Sequence, residues 1–165
     1  QVMAAVAEVR KGSTAVVLDL RGNAGGYMPA GVDVAKLFLP PRARIISEVD
    51  KTGRSAIYIN DGVGSDADIP LYVVVDKRTA SASEILTAAL QDNQRATVVG
   101  YKTFGKGRIQ NVQPLEDGSG IAVTKAKYIT PNGRDIHGVG IVPDRPPTAS
   151  CGPQDNVVLC LDGII

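Results

Sequence analysis

The sequence predicts an α/β fold, and three observations carry that prediction. Two short β-branched runs each stop at a turn-rich segment, an apolar helical stretch follows each stop, and the C-terminal half alternates as strands do. The chain opens inside what reads as a helix, with Val2, Val6 and Val9 at helical spacing; the opening lacks an initiator Met, as expected of a piece cut from a larger protein. Thr14 to Leu20 is a short apolar run that ends at Arg21-Gly22-Asn23-Ala24-Gly25-Gly26, as a buried parallel strand would. From Pro29 to Leu39 an apolar helix is expected, stopped by Pro40-Pro41. Strand, glycine loop and helix make half of a βαβ unit.

Arg44 to Val49 and Ser55 to Asn60 are expected to pair across a turn at Lys51-Thr52-Gly53, and the polar DGVGSDAD segment after them reads as a surface loop. Pro70 to Asp76 repeats the first strand pattern, and Ser81 to Asp92 carries Ala82, Ile85, Leu86 and Ala89 on one helical face. A strand at Thr97 to Gly100, the loop YKTFGKG, and alternating runs near Ile109–Val112 and Ile121–Tyr128 follow, with a turn at Gly118–Gly120. Pro143, Pro146, Pro147 and Pro153 mark the exit from the folded core, which sets a domain at 1–147 and a tail at 148–165.

A chain of 165 residues is long enough to bury a core without cross-links. Eighteen Lys plus Arg against seventeen Asp plus Glu leave a formal charge of +1, too balanced for the basic face that nucleic acid requires. No run approaches the ~18 apolar residues of a membrane span, and the N-terminus lacks the layout of a secretory signal. Cys151 and Cys160 enclose a short segment and are compatible with either a disulfide or two thiols.

Ser81 falls where a strand gives way to a helix, close to the N–H groups and positive dipole end of the first turn, a suitable place for an attacking oxygen. Ser81-Ala82-Ser83-Glu84 also matches the S-x-x-E capping box, and on local sequence alone capping is the stronger reading. Lys106 sits in Phe104-Gly105-Lys106-Gly107, where glycines permit close approach and an aromatic helps exclude water; burial there would favour the uncharged amine that can accept a serine proton. Solvent exposure is the ordinary alternative for a loop lysine. Gly100 to Lys106 fits the start of a phosphate loop, but Gly107 stands where Ser or Thr must bind magnesium and a strand follows where a helix should. His137, the one histidine, lies among turn residues and offers the only imidazole for a Ser-His-Asp triad. No cluster has metal-ligand spacing. The glycine loop 21–26 is either a tight turn or a source of N–H groups for an oxyanion.

Taken in order, four segments resemble the catalytic domain of the C-terminal processing peptidases, or tail-specific proteases. They are Val17-Leu18-Asp19-Leu20-Arg21 through Gly26, Thr79 through Ile85, Thr103 through Gln110, and Thr130-Pro131 through Asp144. The resemblance implies a crotonase/ClpP-like βαβ core with a mixed sheet, Ser81 as nucleophile, Lys106 as base, Gln110 orienting that lysine, and oxyanion donors at the Ala82 and Gly26 amides. In an extended strand the even spacing of Lys106 and Gln110 faces both to one side. Asp92 corresponds to an acidic position of the family; eleven residues from Ser81 along a helix, it is expected to support a loop rather than the chemistry.

The implied function is serine-type endoproteolysis near the C-terminus of proteins with apolar tails, through an acyl-enzyme and with no metal, nucleotide or other cofactor. The wording RGNAGGYMPAGVDVAKLF and TASASEIL is similar to the cyanobacterial and plastid branch, which trims the D1 protein of photosystem II in the thylakoid lumen. That likeness implies a D1 precursor substrate and a thylakoid-lumen location, or a bacterial periplasm or lumen. The family's full-length proteins carry an upstream PDZ-type domain, and no segment here resembles it. Two rivals stand: an inactive peptidase-like binding module, and a small-molecule esterase or amidase on a related crotonase-like fold.

Overall fold

A computed structural model describes residues 8, 12–62, 69–147, 151–152 and 154–164. The helix expected around Val2, Val6 and Val9 and most of the DGVGSDAD loop lie outside the described residues.

Three parallel strands form the first sheet: β1 (Val16–Asp19), β4 (Leu71–Val75) and β5 (Thr97–Gly100), in the order β1-β4-β5. Val16 faces Leu71 in register, and Tyr72 faces Thr97. β4 is apolar at every position because both of its faces are covered. Val73 and Val75 point to the main core, while Val74 joins Val99 on the opposite face, the two-residue alternation of a strand.

Helices α1 (Met28–Lys36) and α2 (Ala82–Asp92) follow β1 and β4. Val32, Ala35, Ile85, Leu86, Ala89 and Leu90 turn inward at helical spacing and pack with Val73, Val98, Ile45 and Ile46. Each such fully buried Leu or Ile contributes about 1.5–3 kcal/mol relative to exposure. α1 stops four residues before Pro40: Leu37 and Phe38 close tight turns on Val34 and Ala35, each at 3.1 Å, which brings Phe38 and Leu39 into the core.

The second sheet is antiparallel, in the order β3-β2-β7-β6, from β2 (Arg44–Asp50), β3 (Ser55–Ile59), β6 (Arg108–Pro114) and β7 (Gly120–Ile129). Asp50 shapes the β2–β3 turn by accepting from Thr52 N–H at 2.8 Å and Arg54 N–H at 3.0 Å. The α/β class stands as expected, with the antiparallel strands gathered in a sheet of their own rather than continuing the parallel one.

After the prolines the chain returns to the core. A 3₁₀ turn (Val157–Leu161) places Cys160 and Leu161 beside Val74 and Val99, and Cys160 is bonded to Cys151. Spacing left the two cysteines open between thiols and a bridge; the shared cluster brings their Cα atoms to 5.4 Å, within disulfide reach. Among the described residues no helix is long and apolar enough to cross a membrane.

Candidate active site

The two strand-to-helix crossings end side by side. Asp76 links them: its carboxylate accepts from Gly22 N–H of the first loop at 3.0 Å, and from Arg78 and Thr79 N–H of the second at 2.9 and 3.0 Å. Thr79 Oγ1 donates to the Leu20 carbonyl at 2.8 Å, and Ala80 N–H to the Asn23 carbonyl at 3.0 Å. Burial raises the Asp76 pKa, but the three N–H groups outweigh it and hold the carboxyl below its ordinary 3.8.

Ser81 stands at the N-cap of α2 with φ +56° and ψ −120°, a left-handed backbone that a serine adopts at a cost of roughly 1–3 kcal/mol. The capping-box pair is in place, since Glu84 accepts the Ser81 N–H at 2.9 Å. The Ser81 side chain faces the Glu84 N–H in return, and that N–H also reaches the Ser81 carbonyl at 2.9 Å.

Gly25 explains how the glycine loop reaches this turn. Its φ is +88°, and a Cβ there would stand 2.6 Å from the Ala80 carbonyl oxygen, 2.8 Å from Ala82 N and 2.8 Å from the Ser81 Cβ. Only glycine fits. Gly25 N–H is taken by Asn23 Oδ1 at 3.0 Å, whereas the N–H groups of Gly26 and Ala82 have no acceptor among the described residues. Gly26 and Ala82 border a cleft of about 340 Å³ whose other walls include Leu18, Leu20, Tyr27, Val34 and Leu86.

The Lys106 loop is fastened to the same turn by Glu84, which is fully buried. Its Oε1 accepts from Thr103 Oγ1 at 2.5 Å and Gly105 N–H at 2.7 Å, and its Oε2 accepts from Ser81 N–H and from Lys106 N–H at 2.8 Å. One oxygen thus holds the backbone N–H groups of Ser81 and Lys106 within two hydrogen-bond lengths of each other. Gly105, at φ +91°, lies against the 136–140 loop, where a Cβ would meet Gly140 N at 2.9 Å. The S-x-x-E pattern accounts for Glu84 only as a cap; the signal for more is an acidic residue in an otherwise buried helix face, which needs donors from elsewhere.

The remaining expected residues are placed differently. Lys106 is exposed, and Phe104 keeps 64% of its surface in solvent, so these loop residues do not by themselves bury the amine. Lys106 precedes β6, and the β6–β7 register shifts between Ile109 and Gln110. The alternation that would align Lys106 with Gln110 is broken by that irregularity. Gln110 Nε2 donates to Thr124 Oγ1 at 3.4 Å, and no hydrogen bond joins it to Lys106 among the described residues.

Asp92 lies at the far end of α2. It pairs with Arg134 and accepts from Asn132 N–H at 2.9 Å, holding the 130–134 loop. His137 is exposed, with its backbone against Gly107. After Gly107 comes β6, not the helix a phosphate loop needs.

Residues 1–146 match the profile of peptidase family S41. The chain is 53% identical over 134 residues to a carboxyl-terminal-processing protease of the cyanobacterium Synechocystis, covering 81% of this chain and 31% of that protein. It is 50% identical over 147 residues to the chloroplastic carboxyl-terminal-processing peptidase 2 of Arabidopsis thaliana, covering 88% and 28%. Among solved structures, a photosystem II D1 C-terminal processing protease superposes with a TM-score of 0.80 at 42% identity, over 96% of this chain and 41% of that one. The chain therefore spans about a third of the length of the curated relatives it matches.

Proposed function

This chain belongs to peptidase family S41, and on that premise we propose that it is the catalytic part of a serine endopeptidase that cuts proteins near their C-termini. The observation that carries the reading is the Glu84 carboxylate, which joins the Ser81 turn to the Lys106 loop beside two N–H groups that have no acceptor among the described residues.

Ser81 Oγ attacks the scissile carbonyl while its proton passes to the uncharged Lys106 amine. Negative charge develops on the carbonyl oxygen, and the Ala82 and Gly26 amides receive it. Lys106 then returns the proton to the departing amine, leaving an acyl-Ser81. Water, deprotonated by Lys106, releases the acid and restores the serine. Gln110, four residues on, orients the lysine. No step calls for a metal or a nucleotide. Residues 1–147 form the catalytic core and 148–165 a C-terminal segment.

The substrates are proteins with apolar C-terminal tails, supported by the apolar walls of the 340 Å³ cleft beside Ala82. A photosystem II D1 precursor is the specific candidate, by analogy with the similar solved protease. Cyanobacterial and chloroplast relatives support a plastid or bacterial source, and the thylakoid lumen, or a bacterial lumen or periplasm, as the working location. One observation favours a second reading, an inactive peptide-binding module: Lys106 and Gln110 are both exposed and unconnected among the described residues.

Cleavage of an apolar-tailed protein by the full-length protein separates the two. Ser81→Ala and Lys106→Ala are each expected to abolish it. Undiminished turnover by Ser81→Ala sinks the mechanism.

A further inference from the structure

Arg21 opens the glycine loop, but its side chain is committed to the C-terminal segment. Only 3% of that side chain is exposed. Its guanidinium donates to the Gly152 carbonyl at 2.7 Å, to the Asp155 carbonyl at 3.0 Å and to Cys160 Sγ at 3.4 Å. The remaining donors form a fork on Asp19, Nε at 2.9 Å and Nη2 at 2.7 Å. Every acceptor outside Asp19 belongs to the segment closed by the Cys151–Cys160 bridge, whose ends are nine residues apart.

From Arg21 the loop runs directly to the amide proposed to receive the oxyanion. Gly22 is tied to Asp76, Asn23 to Ala80, and Gly25 rests on Ser81 and Ala82. The closed segment is short and is held by a small cluster, Val74, Val99, Cys151, Cys160 and Leu161. The bridge limits the conformations available to that segment when it lifts. Without the bridge, a stretch with so few buried contacts opens locally, and Arg21 loses three of its acceptors together.

We infer that the disulfide-closed segment is a redox-sensitive strap that positions the glycine loop, so that a dithiol reductant lowers the turnover of the enzyme and reoxidation restores it. The inference rests on the serine peptidase reading above. In the chemical step, one thiolate of the dithiol attacks a sulfur of the bridge, giving a mixed disulfide and a free cysteine thiolate. The second thiol of the reductant displaces the other cysteine. Two electrons and two protons pass to Cys151 and Cys160, and the reductant leaves as its own disulfide. Both cysteines are buried, at 1% and 0% exposure, so the exchange follows a local lifting of the strap.

The test uses the full-length protein, dithiothreitol as the dithiol, and the double variant Cys151→Ser/Cys160→Ser. Cleavage of an apolar-tailed protein is measured alongside hydrogen exchange of the 20–26 amides. Reduction is expected to slow cleavage about tenfold or more, short of the ~10²–10³-fold loss on deleting an oxyanion donor. Exchange at 20–26 should rise while α2 stays protected, and both effects should reverse on reoxidation. The double variant should be slow and indifferent to the reductant. An unchanged rate with both thiols titratable overturns the strap, as does exchange that rises through the whole core. If the oxidised protein cleaves nothing, the peptidase reading fails, and the exchange at 20–26 still decides the strap.

Discussion

Glu84 accepts the Ser81 N–H at 2.9 Å from a position with no solvent exposure, and the same oxygen takes the Lys106 N–H. The carboxylate is satisfied by four donors, Ser81, Thr103, Gly105 and Lys106, rather than by a cation. Hydrogen bonds to a buried charge are among the stronger ones, so the two loops are registered on each other through this side chain.

Glu84→Gln keeps the shape but turns one acceptor into a donor, facing N–H groups that then lack a partner. Turnover is expected to fall by ~10²-fold or more, with a stability loss of about 1–3 kcal/mol for each donor left without a partner. Steady-state kinetics and urea denaturation read the two effects. A variant with the wild-type rate would show that the bridge between the loops is dispensable.

Gly25→Ala puts a methyl group 2.6 Å from the Ala80 carbonyl oxygen at a φ of +88°. The loop must withdraw, carrying Gly26 with it. We expect at least a tenfold drop in kcat, with a stability loss of about 1–3 kcal/mol. Because the defect lies in the transition-state contact, kcat should fall more than KM rises.

Ser81→Gly relieves the positive φ that the serine bears. Compared with Ser81→Ala, which keeps the unfavourable backbone, the glycine variant should be more stable by ~1 kcal/mol, while both are inactive. Equal melting temperatures would mean that the turn carries no strain.

Asp76 and Asp19 make the molecule acid-sensitive in a defined window. Burial raises the Asp76 pKa, and the N–H groups of Gly22, Arg78 and Thr79 together lower it by more; Asp19 is held down chiefly by its hydrogen bond with Arg21. Both folded values lie below the ordinary 3.8. Their stabilisation is therefore complete above that pH and is lost as pH falls through the lower, folded values. Asp76→Asn should lose less stability than the wild type between pH 4 and acid unfolding, as denaturant titrations at stepped pH would show.

Asp92→Ala removes the partner of Arg134 and the acceptor for Asn132 N–H. A stability loss of about 1–3 kcal/mol with kcat within a few-fold of wild type is expected, because the side chain holds a loop. A loss of several orders of magnitude in kcat at unchanged stability would move Asp92 into the chemistry.

The strands and helices were legible because each carries its own periodicity. β4 is apolar throughout, α1 and α2 repeat their buried positions at helical spacing, and Asp50 with its neighbours spells a turn. The partition into two sheets was not legible, since strand pairing depends on contacts distant in sequence. Gln110 shows how a local rule fails: alternation holds only within an unbroken strand, and the register shifts beside it. Ser81 and Lys106 stood out only as members of an ordered set, for capping and exposure explain each of them locally.

By itself the sequence determined the α/β class, the two strand-to-helix crossings and the residue types available for acyl transfer. Tertiary structure alone decided that Glu84 serves two loops, that Gly25 lies under Ser81, and that Cys151 and Cys160 close a segment on Arg21. The physical reason is common to all three: a buried carboxylate, a missing side chain and a thiol acquire their meaning from what the fold places opposite them, and those partners lie as far as 139 residues away.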